Sequence, residues 1–537
     1  MKITNSLLCV LSSAITVVAA GTLGFSTPLR ERQVEGLFNW SAITPTRRLQ
    51  YHDCYSEYKC ARLKVPLDWS KANSTSCSSS VKWAAIGIVT LPATVPETDP
   101  SFGGTILINQ GGPGGAGSEF VMAAGKYLQG ILDGDRHYEI LGFDPRGIAL
   151  STPRAECYDS ASDRALDAVQ RQGMSPVSDD MGLNFNYQNL RGLGELCGEQ
   201  GPDSIFNHMS TASVARDMLE IVDRVDELRR GNSTITDDAR KPGLQYLAVS
   251  YGTVLGNTFA SMFPGRVERM VLDGVADADD FVKGTWLKNL NDAEIVVDHF
   301  YETCFQAGDL CPLKLSSDRS AADIKGRVDS FIEDLEKSPI STVSEGRVRF
   351  ITSFLLRDSI RRNNWGCESE AGMSVLCGDS AADAGERNIS WARNIVDKLE
   401  KQSPTTGESW ARIPLACSGW KYQPSHVFRG PFGHKDFEAT SPEDKPAAPL
   451  FILSTRYDHA TPLANAEYLS TLYPGSAVLI QEGWGHCALL TSKSKCTAKH
   501  LRTYFDTGKV PVNGETCEED CTPSIPWKEC ADFPFSI

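Results

Sequence analysis

One stretch constrains the fold more than any other. Leu244 to Val249 is a largely apolar run, the length of a strand buried on both faces. Ser250 follows at once, with the small residues Ala248 and Gly252 two places to either side. Thr253 to Phe263 then reads as a helix that Pro264 stops. Small flanking residues let the chain turn sharply from strand to helix and leave the serine hydroxyl standing at the tip of the turn. An ordinary strand–turn–helix could carry the same pentapeptide, so the rest of the chain must decide between the two.

Around this corner strands and helices alternate. Ala61–Val65 and Val81–Leu91 have β character, with a polar turn between them. Thr105–Ile108 is a short strand that ends in a glycine-rich loop, and Tyr138–Phe143 is another that ends at Asp144-Pro-Arg-Gly147. Ser213 to Arg229 has helical spacing at Val214, Met218, Ile221, Val222, Val225 and Leu228. Val267–Leu272 is a further strand. Such alternation predicts an α/β fold with a mostly parallel sheet covered on both faces. From about Phe281 to Pro446 strand signals fade. Amphipathic helices are marked there by Ile324, Val328, Phe331, Ile332 and Leu335, and by Trp391, Ile395, Val396 and Leu399. This stretch is too long for a loop and reads as a helical insertion. The sheet resumes at Leu450–Leu453 and Ala477–Ile480. The expected organisation is a leader at 1–20, the first part of a core at 21–280, a helical cap at 281–446, the last part of the core at 447–510, and a cysteine-rich extension at 511–537.

A lone serine is a poor nucleophile. It needs a base to take its proton and an acid to orient that base. Asp458 follows the Leu450–Leu453 strand, and His486 follows the next one within Glu482-Gly-Trp-Gly-His486. The chain order Ser250, Asp458, His486 is that of α/β-hydrolases. All three should meet at the C-terminal edge of the sheet, where such folds bind ligands. Asp444 is the competing acid, but it precedes the strand. The loop Asn109-Gln-Gly-Gly-Pro-Gly-Gly115 lies where an oxyanion-binding loop belongs. The backbone N–H groups of Gly112 and of Tyr251 are the expected donors to the oxyanion. The same loop satisfies the dinucleotide pattern Gly-x-Gly-x-x-Gly from Gly112 to Gly117. The proline in its first turn and the late position of Asp144 argue against that reading, and no cofactor or metal is expected.

A net charge of −15 disfavours nucleic acid or an anionic membrane as partner. The expected partner is a peptide or a small-molecule ester or amide. Lys2 followed by the apolar stretch Leu7–Ala20, with Val18 and Ala20 suitably small, reads as a secretory leader cut after Ala20. Sixteen cysteines suit an oxidising compartment. The sequons at Asn39, Asn73, Asn232 and Asn388 suit a secreted glycoprotein. Loss of Cys9 with the leader leaves an odd number of cysteines, so one is free or pairs with another chain. Proximity in sequence pairs Cys54 with Cys60, Cys304 with Cys311, Cys487 with Cys496, and two of Cys517, Cys521 and Cys530. Cys157 with Cys197 and Cys377 with Cys417 are looser expectations. Cys487, next to His486, is also weighed as a catalytic thiol.

As a set these residues resemble the proline iminopeptidase and tripeptidyl aminopeptidase family of serine exopeptidases. The resemblance rests on Gln110-Gly-Gly-Pro-Gly-Gly115, Asp144-Pro-Arg-Gly147 with Ser151, Arg216-Asp217, Val249-Ser-Tyr-Gly-Thr253, and the Asp458 and His486 pair. Val65-Pro-Leu-Asp-Trp69 resembles the secreted, tripeptidyl-type members. Departures are Gln110 where the family often has His, Ala149 in the Arg146-Gly-Ile-Ala149 stretch, and Ala248. The resemblance implies an α/β-hydrolase core under a helical cap, with acids in or near the cap that recognise a free amino end. Asp277, Asp279 and Asp280 lie just after a core strand, yet none maps onto those acids. The resulting expectation is a secreted aminopeptidase. An esterase or metabolite hydrolase with the same residues is the alternative, and a non-catalytic binding protein on the same scaffold is the third reading.

Overall fold

The structure is a computed structural model that describes residues 38–71, 82–172, 177–231, 241–338, 340–344, 347–351, 369–381, 383–433 and 445–520. The expected leader, Asn73, Asn232 and Asp444 lie outside these residues, as do Cys9, Cys77, Cys367, Cys521 and Cys530.

The strands are β1 (His52–Cys54), β2 (Tyr58–Pro66), β3 (Trp83–Leu91), β4 (Phe102–Asn109), β5 (His137–Phe143), β6 (Leu244–Val249), β7 (Val267–Asp273), β8 (Ile340–Ser344), β9 (Arg347–Ile351), β10 (Phe451–Tyr457), β11 (Ala477–Trp484) and β12 (Glu515–Glu518). Ten of them form one sheet in the order β1-β2-β3-β5-β4-β6-β7-β10-β11-β12. The first three are antiparallel to their neighbours, and from β5 through β12 all pairings are parallel. The expected α/β-hydrolase architecture is therefore present. Central strands such as β6 have almost every side chain buried, as a sheet covered on both faces requires.

Strand order reverses around β4. The chain passes from β4 outward to β5, then returns to place β6 on the other side of β4. A crevice opens at such a switch point, beyond the carboxyl ends of the strands. Register brings the strand ends level there: Asn109 pairs with Ala248, Val249 with Asp273, and Asp273 with Leu453. The loops that carry Asn109–Gly115, Ser250, Asp458 and His486 consequently leave one edge.

Three of the motifs behind the family resemblance converge below that edge. Arg146 is fully buried. Its Nε and Nη2 form a fork on the Asp217 carboxylate at 2.7 and 2.6 Å. Its remaining N–H groups reach the carbonyls of Leu67, His208 and Pro66. Trp69 Nε1 donates to Asp217 at 2.9 Å. Asp144-Pro-Arg-Gly, Val-Pro-Leu-Asp-Trp and Arg-Asp thus form one structural knot rather than three parts of a site.

The 281–446 stretch holds the helices Ala293–Gln306, Ala321–Lys337, Ser369–Asp379, Ile389–Gln402 and Gly407–Leu415. It also holds the β8–β9 hairpin, where only helices were expected. A further helix, Asp180–Gly198, from outside the 281–446 stretch, packs against this insertion. Leu183 and Tyr187 share an apolar cluster with Leu290, Ala293, Ile395, Val396, Leu399 and Leu415.

Five disulfides occur among the described residues. Cys54–Cys60, Cys157–Cys197, Cys304–Cys311 and Cys377–Cys417 match expectation. The expected Cys487–Cys496 bridge does not form. Cys496 joins Cys517 on β12, and Cys487 is a buried free thiol. The Cys487 side chain points into the core instead, with Sγ only 2.4 Å from where a Cβ on Gly274 would stand. The thiol therefore fills the space that this glycine leaves, within the core.

Candidate active site

Ser250 has φ +57°, a left-handed conformation that costs a non-glycine residue about 1–2 kcal/mol. The surrounding hydrogen bonds hold it there. Ser250 N donates to the Asp273 carbonyl at 3.0 Å. The Ser250 carbonyl accepts from Thr253 N at 2.9 Å and from Thr253 Oγ1 at 2.6 Å. The helix Gly252–Met262 begins immediately afterwards, as the sequence predicts.

Asp458 is completely buried. Its Oδ1 accepts the N–H groups of Ala460 and Thr461 at 2.8 Å each. Its Oδ2 accepts Thr461 Oγ1 at 2.7 Å and Cys487 N at 3.0 Å. His486 Nδ1 lies 3.0 Å from both oxygens. That contact assigns the proton to Nδ1 and leaves Nε2 with its lone pair. Burial would raise the Asp458 pKa, but the charge and hydrogen bond of His486 outweigh it and hold the carboxyl well below its ordinary value. Burial disfavours the imidazolium of His486. The Asp458 carboxylate more than offsets this, so the histidine pKa is raised above 6.5.

Asp273, at the end of β7, was not anticipated. It is fully buried. Its two oxygens accept Ala488 N at 2.8 Å and Leu489 N at 2.9 Å, just beyond His486. Burial lifts its pKa to about 7 against those two hydrogen bonds. The histidine loop, expected to be held by a disulfide, is thus held by two carboxylates. Burial, reinforced by Asp273 and Asp458, raises the Cys487 thiol pKa well above the ordinary value. A protonated, buried thiol is a poor nucleophile, which disfavours the thiol reading.

The glycine-rich loop packs closely against the serine corner at two glycines. A Cβ on Gly111, which has φ +87°, would come within 2.8 Å of Tyr251 N. One on Gly252 would come within 2.8 Å of the Asn109 carbonyl. Neither the Gly112 nor the Tyr251 N–H donates to an acceptor among the described residues.

Ser250, Tyr251, Gly112 and His486 all line one cavity of about 1100 Å³, large for a small-molecule site. A ladder of aromatic rings runs along it. Centroid spacings are 5.4 Å from Tyr251 to Phe281, 5.7 Å from Phe281 to Trp286, and 6.1 Å from Trp286 to Trp410. Glu294, Asp329 and Glu333 also line the cavity. Asp277, Asp279 and Asp280 do not line it. Asp277 caps its own helix at Asp280 N and pairs with Lys288. Asp279 accepts from Tyr468 Oη at 2.8 Å, and Asp280 accepts from Thr285 Oγ1 and Lys288 N. His459 lines the cavity as well, with its ring 6.2 Å from that of His486. Only its adjacence to Asp458 could have singled it out in the sequence. Asn39 and Asn388 are exposed helix N-caps.

Comparison with known proteins agrees with this geometry. Residues 403–517, which include Asp458 and His486, match the family model described as TAP-like protein. The tripeptidyl aminopeptidase of Streptomyces lividans is 24% identical over 536 residues, covering 92% of this chain and 91% of that protein. Serine protease Hip1 of Mycobacterium tuberculosis is 24% identical over 492 residues, covering 85% and 87%. Carboxylesterase B of the same organism is 26% identical over 499 residues, covering 86% of each. The order of strands, the serine corner and these relatives lead to one conclusion: the chain is a serine hydrolase of the α/β-hydrolase fold, similar to the tripeptidyl aminopeptidases along most of its length.

Proposed function

We propose that the protein is a secreted aminopeptidase that releases amino-terminal residues or tripeptides through an acyl-enzyme. Ser250 Oγ attacks the carbonyl carbon, and His486 Nε2 takes the serine proton. Asp458 holds the imidazole in the required tautomer and stabilises the imidazolium. The N–H groups of Gly112 and Tyr251 receive the oxyanion. His486 then gives its proton to the departing amine, and water repeats the sequence to free the acid. The observation that carries this reading is that His486, paired behind the cavity wall with the buried Asp458, shares that cavity with a serine held at φ +57°. Three carboxylates along the cavity, Glu294, Asp329 and Glu333, suit a substrate with a free amino end. The apolar leader and the sequons at Asn39, Asn73, Asn232 and Asn388 support secretion with glycosylation. No helix among the described residues is long and apolar enough to cross a membrane.

A panel of aminoacyl and tripeptidyl p-nitroanilides tests the reading. Turnover that falls by about 10⁴–10⁶ in Ser250→Ala is the expected result. Absence of amide cleavage by the intact enzyme would sink it. The alternative is an esterase or small-molecule hydrolase with the same three residues. The carboxylesterase-named relative and the aromatic wall favour it, and cleavage of p-nitrophenyl esters without any anilide would establish it.

A further inference from the structure

One helix of the insertion touches both halves of the proposed oxyanion site. At the near end of the Ser369–Asp379 helix, a Cβ added to Gly372 would stand 2.7 Å from the Pro113 carbonyl. The helix therefore rests directly on the glycine-rich loop, one residue beyond Gly112. At its far end, Asp379 reaches the residue after Ser250 through a single intermediary. The Asp379 carboxylate accepts Thr211 N, at 3.0 Å to each oxygen, and also Thr211 Oγ1. Since the threonine hydroxyl gives its hydrogen to the carboxylate, its oxygen accepts from Tyr251 Oη at 2.5 Å. Asp379, Thr211 and Tyr251 are all buried.

The helix is itself anchored. Arg429 donates to the carbonyls of Gly378, Asp379 and Ser380 at its C-terminus, satisfying groups that a helix end leaves open. The Cys377–Cys417 bridge ties the same turn. Thr211 is the first residue of the core helix Thr211–Gly231, so the carboxylate also complements that helix's positive end.

We infer that the Ser369–Asp379 helix is a positioning element for the oxyanion site. Gly372 lets it set the Gly112–Pro113 turn, and Asp379 orients the Tyr251 peptide through Thr211. Donors to a developing oxyanion must be placed before the reaction to be effective, and a misplacement of about 1 Å can cost on the order of 10² in rate. The insertion would then govern how fast the acyl step proceeds as well as what enters.

The inference rests on the proposed roles of Ser250, Gly112 and Tyr251, and the test separates the two. Gly372→Ala, Tyr251→Phe and Asp379→Asn are compared with the wild type for p-nitrophenyl butyrate turnover, fluorophosphonate labelling rate and melting temperature, with Ser250→Ala as control. A Cβ that close to the Pro113 carbonyl must displace the helix or the loop, so a merely structural glycine predicts a lower melting temperature with unchanged turnover per folded enzyme in Gly372→Ala. The expected result is a fall in kcat of about ten- to a hundredfold in Gly372→Ala and Tyr251→Phe. KM should stay within a few-fold and labelling should slow in parallel, with melting retained in Tyr251→Phe. Wild-type kcat in both variants overturns the inference, as do losses that follow melting temperature instead of kcat. Asp379→Asn should resemble Tyr251→Phe if it folds, and Tyr251→Phe decides if it does not. Wild-type turnover in Ser250→Ala would instead remove the underlying assignment.

Discussion

The main chain of Ser250 hangs from Asp273: its N–H donates to the Asp273 carbonyl at 3.0 Å. The carboxylate of the same aspartate grips the N–H groups of Ala488 and Leu489. One residue at a strand end thus fixes the distance between the serine and histidine loops, although it lines neither the cavity nor the proposed proton path. Asp273→Asn replaces one acceptor oxygen with an NH₂ group that faces a backbone donor. The expected loss is about 1–3 kcal/mol of stability, together with a lower kcat, read by denaturant melts and steady-state kinetics.

The same residue gives a pH signature. Its pKa stands at about 7 in the native protein, against an ordinary carboxylate value near 4 when unfolded. Between about pH 4 and pH 7 the native state holds a proton that the unfolded state has lost. Stability from this site therefore falls as pH rises through that window. The difference in melting temperature between wild type and Asp273→Asn should shift in that direction when measured from pH 4.5 to 7.5.

Activity should follow His486 with its own sign. The proposed mechanism needs the neutral imidazole, and the Asp458 carboxylate holds the histidine pKa above 6.5. The acid limb of kcat/KM is expected above pH 6.5. Asp458→Asn should move that limb downward while it lowers kcat by about 10⁴. A pH–rate profile of the two proteins checks both outcomes.

Arg146 and Asp217 should behave as a structural pair. Arg146→Met leaves a buried carboxylate without its fork, and the expected cost is about 3–5 kcal/mol. Adding Asp217→Leu should recover much of that loss, because no charge then stays buried alone. Thermal melts of the single and double variants measure it.

The aromatic wall should affect binding more than chemistry. Trp410→Ala enlarges the far side of the cavity, away from the Ser250 corner by three ring-to-ring steps. KM for substrates with large apolar groups should rise by about ten- to a hundredfold, or ~1–3 kcal/mol of lost contact, with a smaller change in kcat. Initial rates across the p-nitroanilide panel distinguish this from a general loss of fold.

The placement of Ser250 and His486 at strand ends was legible because each follows an apolar run and has small residues beside it, a local pattern that needs no knowledge of neighbours. Asp458 was legible by its place in the order. Asp273 was not, since nothing local distinguishes an acid that accepts N–H groups 215 residues away from one that meets water. The helix Asp180–Gly198 escaped notice because Gly182, Asn184, Asn186, Gly192 and Gly194 weaken its helical propensity. Its stability comes from Leu183 and Tyr187 packing on the insertion. The Cys487–Cys496 expectation failed because closeness along the chain says nothing about which way a side chain points. The β8–β9 hairpin was hidden by its polar composition, with Arg347 and Arg349 beside Val348 and Phe350.

That helix has a practical meaning for anyone who would recombine these enzymes. The apolar interior beneath the insertion is shared by residues on both sides of the serine in sequence, Val177, Leu183 and Tyr187 before it, Leu290 through Leu415 after it. A lid transplanted from a relative as one contiguous cassette between 281 and 446 would arrive without the part of its floor that Val177, Leu183 and Tyr187 supply. Grafts that carry the 177–198 segment along with it would transfer a complete module.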